Sequence, residues 1–253
     1  MKSRFCAFSV LLLLVIVLLV LFPILGQSSQ QVVVAFSEFP PYKMIVDGSH
    51  AGIDVEILRE IAKRMDLTLS FKDATFEECL RMMQRGEADL MTSLLRRPER
   101  EKYILYVQPR YRARSEKIFY VRMENRNLIR FYDDLKNLKI GVKGGVRYAP
   151  VFDNDKGLNK IPAPDIETNL RRLVATEIDT FLDTRTEGDY WIKTLGYSDK
   201  VTKAPFTFTH SDSSYVGIAK KSPFASRAKE FGKHLKYMLD KGHIQKMVDK
   251  YLE

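Results

Sequence analysis

Histidine, cysteine, serine and the acids are where catalytic or metal chemistry would sit in these 253 residues. His50, His210, His234 and His243 stand at no metal-ligand spacing from one another or from Cys79. His210-Ser211-Asp212 has the residue types of a nucleophilic triad, but three consecutive side chains cannot face one another. No G-x-S-x-G elbow occurs. Gly144-Gly145 lacks the Lys-Ser/Thr that follows in a phosphate loop and reads as a turn. Cys79 reads as a small buried side chain on a helix. No metal or other cofactor is expected.

The charge balance adds a second exclusion. The chain holds 41 Lys and Arg against 32 Asp and Glu, a net charge of +9. Its basic residues are spread along the chain and interleaved with acids, which describes a solvated surface. No RNA-binding or zinc-finger motif accompanies them, so a nucleic-acid partner is not expected.

The N-terminus says where the chain works. Lys2 and Arg4 precede an apolar run from Phe5 to Leu25, and Gly26-Gln27-Ser28-Ser29 then turns polar. This is the order of a secretory signal peptide, read as residues 1–28 with the cut after Ser28. The run is also long enough to span a bilayer, so anchoring by residues 5–25 is the alternative. Cleavage leaves about 225 residues, enough for one large domain or two lobes. It also removes Cys6, so the mature chain has no partner for Cys79 and no intramolecular disulfide.

The elements alternate. Val32 to Phe36 is β-branched; Ile57, Leu58, Ile61, Ala62 and Met65 form one helix face, with Asp54 placed to cap it. Leu67 to Phe71 alternates as a strand. Thr75 with Glu78 reads as a capping box before a helix that Gly86 ends, and Ala88 to Leu94 is the next strand. A second unit repeats the pattern: strand Lys139 to Val142, helix around Leu170 to Val174, strand Ile178 to Leu182, helix over Tyr190 to Leu195. Ile118 to Val121 lies between the units, Tyr215 to Ala219 is the last strand, and the chain closes with helical periodicity through Leu252. The β-α-β-α-β order argues for sheets covered by helices.

Phe39-Pro40-Pro41-Tyr42, followed by Gly52-Ile53-Asp54-Val55-Glu56, resembles the opening of the bacterial extracellular solute-binding proteins of family 3. Gln84-Arg85-Gly86-Glu87-Ala88-Asp89, Arg97-Pro98-Glu99-Arg100, Leu138 to Val142 and Gly242-His243-Ile244-Gln245 extend the resemblance in order along the mature chain. It implies an α/β, two-lobed periplasmic-binding-protein type II fold, each lobe a mostly parallel sheet flanked by helices. Residues 29–113 plus 217–253 would make lobe 1, and residues 114–216 lobe 2.

It also implies site residues. Arg100 stands where the family places the guanidinium that clamps a carboxylate with two parallel hydrogen bonds. Thr92 and Ser93 end the strand before it, and Phe39 and Phe76 hold the positions of aromatic walls. The departures are informative. Arg97 replaces the usual threonine, and Leu95 the usual small polar residue. Gly145-Val146-Arg147 replaces a Gly-Thr-Thr or Gly-Thr-Ser, so Arg147 is either a second cation for the ligand or a solvent-facing side chain. Thr184 occupies the place of the ammonium-binding acid, leaving Asp183 and Glu187 as neighbours that could substitute. The site is therefore richer in positive charge than a general amino acid receptor, and an acidic amino acid or a carboxylate without an ammonium group fits it.

The implied function is a monomeric periplasmic receptor. It would take a small polar carboxylate, foremost an amino acid, between its lobes and hand it to the membrane permease of an ABC transporter, without chemistry. Two alternatives stay open. A secreted cyclohexadienyl dehydratase on this fold would use Glu187 or Asp183 as a buried proton donor. A receptor could also serve a separate membrane sensor.

Overall fold

The computed structural model describes residues 30–112, 115–210 and 213–252. The segment read as a signal peptide lies outside these residues, as do Ser211 and Asp212. Val32, Val34, Ala35 and Phe36 seal β1 (Gln30–Phe36) into the first core. A short hairpin, β2 (Met44–Val46) and β3 (Ser49–Ala51), leads into helix α1 (Ile53–Arg64). The apolar spacing buries Ile53, Val55, Ile57, Leu58, Ile61 and Ala62 on one face of α1.

Asp54 does not cap α1. The N-cap is Gly52, at φ 114°, and a Cβ there would lie 2.4 Å from the Tyr42 carbonyl oxygen. Only glycine fits that approach. Asp54 instead turns inward and is almost fully buried.

Strand β4 (Leu67–Asp73) pairs in parallel with β1. Thr75 caps α2 (Phe76–Arg85) by accepting a hydrogen bond from the Glu78 N–H at 3.3 Å, and Gly86 ends it in the left-handed region. The Glu78 side chain does not close the capping box; it pairs with Arg81 and Arg85. Cys79 is buried on this helix, where burial pushes its thiol pKa up. Strands β5 (Leu90–Leu95) and β6 (Ile104–Tyr106) follow.

The chain then builds a second sheet from β7 (Ser115–Arg122), β8 (Lys139–Lys143), the one-turn helix α3 (Pro150–Asn154), β9 (Asn159–Ala163), helix α4 (Ile166–Val174), β10 (Thr180–Thr184), helix α5 (Arg185–Thr194) and β11 (Val201–His210). It returns through β12 (Ser214–Ala219), α6 (Ala228–Asp240) and α7 (His243–Leu252). The pairing of β12 with β5 begins at Ser214, opposite Leu95.

The sheet orders are β4-β1-β5-β12-β6 and β11-β7-β10-β8-β9. Both are mixed. The parallel pairing read from the β-α-β order holds for β4-β1-β5 and β10-β8-β9. The crossing strands β12, β7 and β11 run antiparallel to their neighbours. Matching aspartates fasten the two halves. Asp89 accepts from the Val33 N–H, and Asp179 from the Lys139 N–H, each tying a strand entry to the neighbouring strand.

Each sheet is packed by its own apolar clusters, the first around α1, α2, α6 and α7, the second around α4 and α5. Among the described residues no helix is long and apolar enough to cross a membrane.

Candidate functional site

A cavity of about 640 Å³ is walled by residues carried on both sheets. On the first wall stand Phe39, Phe76, Ser93, Arg97 and Arg100; on the second stand Arg147, Asp183 and Glu187. Eight of the sequence-predicted residues therefore share one space. Thr92 does not join them. It is buried within β5, and successive strand residues face opposite ways, so the neighbour of Ser93 points into the core.

Ser93 is held in place from below. It sits at φ 56°, an uncommon conformation for a side chain with a Cβ. Its N–H donates to the Tyr111 hydroxyl at 2.9 Å, and its own hydroxyl donates to Asp54 Oδ2 at 2.7 Å. Tyr111 donates in turn to the same Asp54 oxygen at 2.9 Å. The inward turn of Asp54 thus supports the cavity floor. Lys43 lies nearby, buried, with its Nζ 3.2 Å from Ser37 Oγ and its pKa lowered by burial.

Arg100 opens a short 3-10 turn, Arg100–Lys102, after β5. Its guanidinium lies 5.4 Å from the Phe76 ring centre, and Nη1 reaches the Leu95 carbonyl only at 3.4 Å. Among the described residues it has no carboxylate partner. Arg97 and Arg147 are exposed on the cavity rim and also lack one.

The structure adds residues that the sequence alone does not mark. Arg112 lies over the Tyr42 ring at 3.8 Å, and Tyr42 stacks in turn on Phe39. Nε and Nη2 of Arg112 donate to Ser214 Oγ at 3.1 and 2.7 Å. Its Nη1 is buried with no partner. The only sequence signal for Arg112 is a basic stretch, Arg110 to Arg114, where the chain leaves the first sheet.

On the second wall, Lys143 Nζ lies 3.4 Å from Glu187 Oε1. Burial works against the Lys143 charge, but Glu187 and Asp183 outweigh it and hold its pKa above the ordinary value. Thr184 caps α5 in position but not by its side chain, whose hydroxyl lies on Glu187 Oε2 and Asp183 Oδ1. Asp183 accepts the Thr184 N–H at 2.6 Å, and its Oδ2 is buried without a donor. Burial pushes its pKa up to about 7, with the neighbouring Glu187 charge adding to this and Lys143 opposing it. Arg185 pairs with Glu116 across the same rim.

The arrangement can clamp a small anion between cationic side chains, against an apolar surface from Phe39 and Phe76. A model of the bacterial extracellular solute-binding proteins, family 3, matches residues 32–253. The chain is 24% identical over 215 residues to "Probable amino-acid-binding protein YxeM" of Bacillus subtilis (strain 168), covering 83% of this chain and 79% of that protein. It superposes with a TM-score of 0.70 on substrate-binding domain 2 of Lactococcus lactis GlnP in open conformation, at 22% identity and 89% and 96% coverage. It also superposes on the amino acid ABC transporter substrate-binding protein AbpA of Streptococcus pneumoniae bound to L-arginine, with a TM-score of 0.65, 20% identity and 88% and 94% coverage. At these identities the structures show the fold.

Proposed function

Because the chain belongs to the bacterial extracellular solute-binding proteins of family 3, we propose that it captures a small polar carboxylate of the amino acid type and passes it to the permease of an ABC transporter. The observation that carries this reading is the cavity itself. Two separately packed sheets supply its walls, and Arg100 stands there beside Phe76 with no protein carboxylate to neutralise it. A guanidinium fork in that setting is suited to a ligand carboxylate. The proposed lobes are built one on β1, β4, β5, β12 and β6 and the other on β7 to β11. The family and the amino-acid-binding relative both support a solute receptor.

The receptor is proposed to work as a monomer in the periplasm after loss of residues 1–28. Cell fractionation tests this: mature protein beginning near Ser29 in the soluble periplasmic fraction supports it, and full-length protein confined to membranes opposes it. A thermal-shift screen of amino acids and small organic acids tests the capture. A ligand that binds only the folded state raises its stability by mass action, by about 2.7 kcal/mol at a hundredfold excess over Kd.

One observation favours a second reading. Asp183, buried beside Glu187, keeps a proton near neutral pH and could donate it to a leaving group. Prephenate or arogenate incubated with pure protein separates the two. Turnover that is lost in Asp183→Asn or Glu187→Gln would install a dehydratase; a ligand recovered intact keeps the receptor.

A further inference from the structure

We infer that the ligand of this cavity carries two anionic groups and needs no ammonium group. The inference rests on the solute-capture reading and narrows it to a ligand class. Its basis is which cavity charges are already matched within the protein.

Of the three carboxylates that line the cavity, Glu116 and Glu187 are engaged with cations of the protein. Glu116 is paired with Arg185. Glu187 faces Lys143 and the Thr184 hydroxyl. Asp183 takes the Thr184 N–H on one oxygen; its other oxygen is buried without a donor, and burial with the Glu187 charge raises its pKa to about 7, which makes it a weak partner for a cation. A ligand ammonium or guanidinium would have to displace Arg185 from Glu116 or Lys143 from Glu187 to find a fully charged anion.

The cations stand differently. Arg97, Arg100, Arg112 and Arg147 line the cavity with no carboxylate partner among the described residues. Arg112 is the most telling. Ser214 takes two of its donors and Tyr42 covers its face, yet Nη1 is buried and unsatisfied. A buried charged donor with no acceptor is costly to leave unmet, and a ligand oxygen would meet it. Arg100 and Arg112 lie on the first wall, Arg147 on the second. One carboxylate can be met by Arg100 and Arg112 but leaves Arg147 on the second wall facing nothing. Two acidic groups joined by a short body against Phe39 and Phe76 match both. The same charge pattern rejects a cationic amino acid, because a guanidinium would enter a space lined by five of them, four without a carboxylate partner among the described residues.

The test is a titration of the folded chain with five compounds: glutamate, glutarate, glutamine, butyrate and arginine. Glutarate is glutamate without its ammonium group; glutamine is glutamate without its second charge. The expected result is that glutamate and glutarate bind within about tenfold of each other. Glutamine and butyrate should bind at least about tenfold more weakly, and arginine should give no thermal shift. Arg147→Gln, a change at an exposed position, should shrink the gap between glutamate and glutamine while leaving thermal stability without ligand unchanged. Arginine or glutamine binding as tightly as glutamate would overturn the dianion and leave solute capture intact. Binding of glutamate but not glutarate would overturn the dispensable ammonium. No response to these five refutes the dianion, and no response to the wider amino acid and organic acid screen refutes solute capture as well.

Discussion

Arg100 shows how a residue is made ready for a ligand. Its side chain is half-buried against Phe76, one donor is loosely occupied by the Leu95 carbonyl, and the rest face the cavity. Once a ligand is in hand, Arg100→Ala should weaken binding by roughly 2–5 kcal/mol, the cost of leaving a desolvated carboxylate without its partner. Arg100→Lys should restore only part, since an ammonium cannot reproduce the fork. Isothermal titration checks both, and unchanged affinity in folded Arg100→Ala would remove this residue from the site. Asp183 makes a different prediction. Its folded pKa of about 7 lies above the ordinary 3.8, so between those values the folded chain holds a proton that the unfolded chain releases. Stability from this group is full below about pH 4 and declines as pH rises through 7. Asp183→Asn mimics the protonated form. Thermal melts should therefore show it gaining on the native chain as pH rises from about 5 to 8; parallel curves would contradict the raised pKa. At this scale the sequence was partly readable. Arg100 and Phe76 stand at positions that the family resemblance marks. The contact of Arg112 with Tyr42 is not marked, because it joins the first strand loop to the end of the first sheet, 70 residues apart in number, and no local pattern records it.

Elements carry those residues to their places, and α5 is the one with least freedom. Gly188 packs directly on the Tyr120 ring, where an added Cβ would come within 2.3 Å. Tyr120 cannot yield easily. It stacks on Phe181 at 4.9 Å, and its hydroxyl lies 2.9 Å from Asp189 Oδ1. Gly188→Ala should therefore push α5 off the sheet and cost about 1–3 kcal/mol. Because Glu187 travels with that helix, ligand affinity should fall as well. Urea denaturation and a ligand titration measure the two effects, and native values in both would show that the sheet accommodates the methyl group. The helices were legible from apolar spacing, and so were the strands that begin the parallel pairs. Three departures have physical causes. Asp54 looked like a cap because acids favour first turns, but Ser93 and Tyr111 draw it inward. Strand β11 holds an alternating Phe206-Thr207-Phe208-Thr209 run, yet Pro205 stands directly before it; the pairing with β7 shifts register between Lys203 and Thr207. Strands β2, β3 and β6 are too short for periodicity to register.

Across the whole molecule the charge pattern and the two-sheet architecture combine into one expectation. The last helix is tied back to the first: the Tyr251 hydroxyl lies 2.8 Å from Glu56 and accepts the Gly52 N–H, while Lys250 pairs with Glu56 at 2.6 Å. These contacts fasten the last helix to the first, and closure on a ligand would require the second unit to move against this pair. In the absence of ligand, Arg97, Arg100 and Arg112 stand on one wall and Arg147 on the other, none with a carboxylate partner among the described residues. Like charges oppose approach, and the opposition weakens as salt rises because the rim is exposed. An anion placed between the walls turns that repulsion into attraction on both sides. Small-angle X-ray scattering should therefore show a smaller radius of gyration when glutamate is added. Raising salt alone should produce a lesser contraction. Arg147→Gln should separate capture from closure: the first wall still holds a carboxylate, but the second has lost the charge that answers the other end. That variant should bind glutamate more weakly and contract less at saturation, while Arg100→Ala should mainly lose affinity. If saturated Arg147→Gln contracts as fully as the native chain, closure does not depend on the second wall's charge, and Arg147 is simply a solvated rim residue.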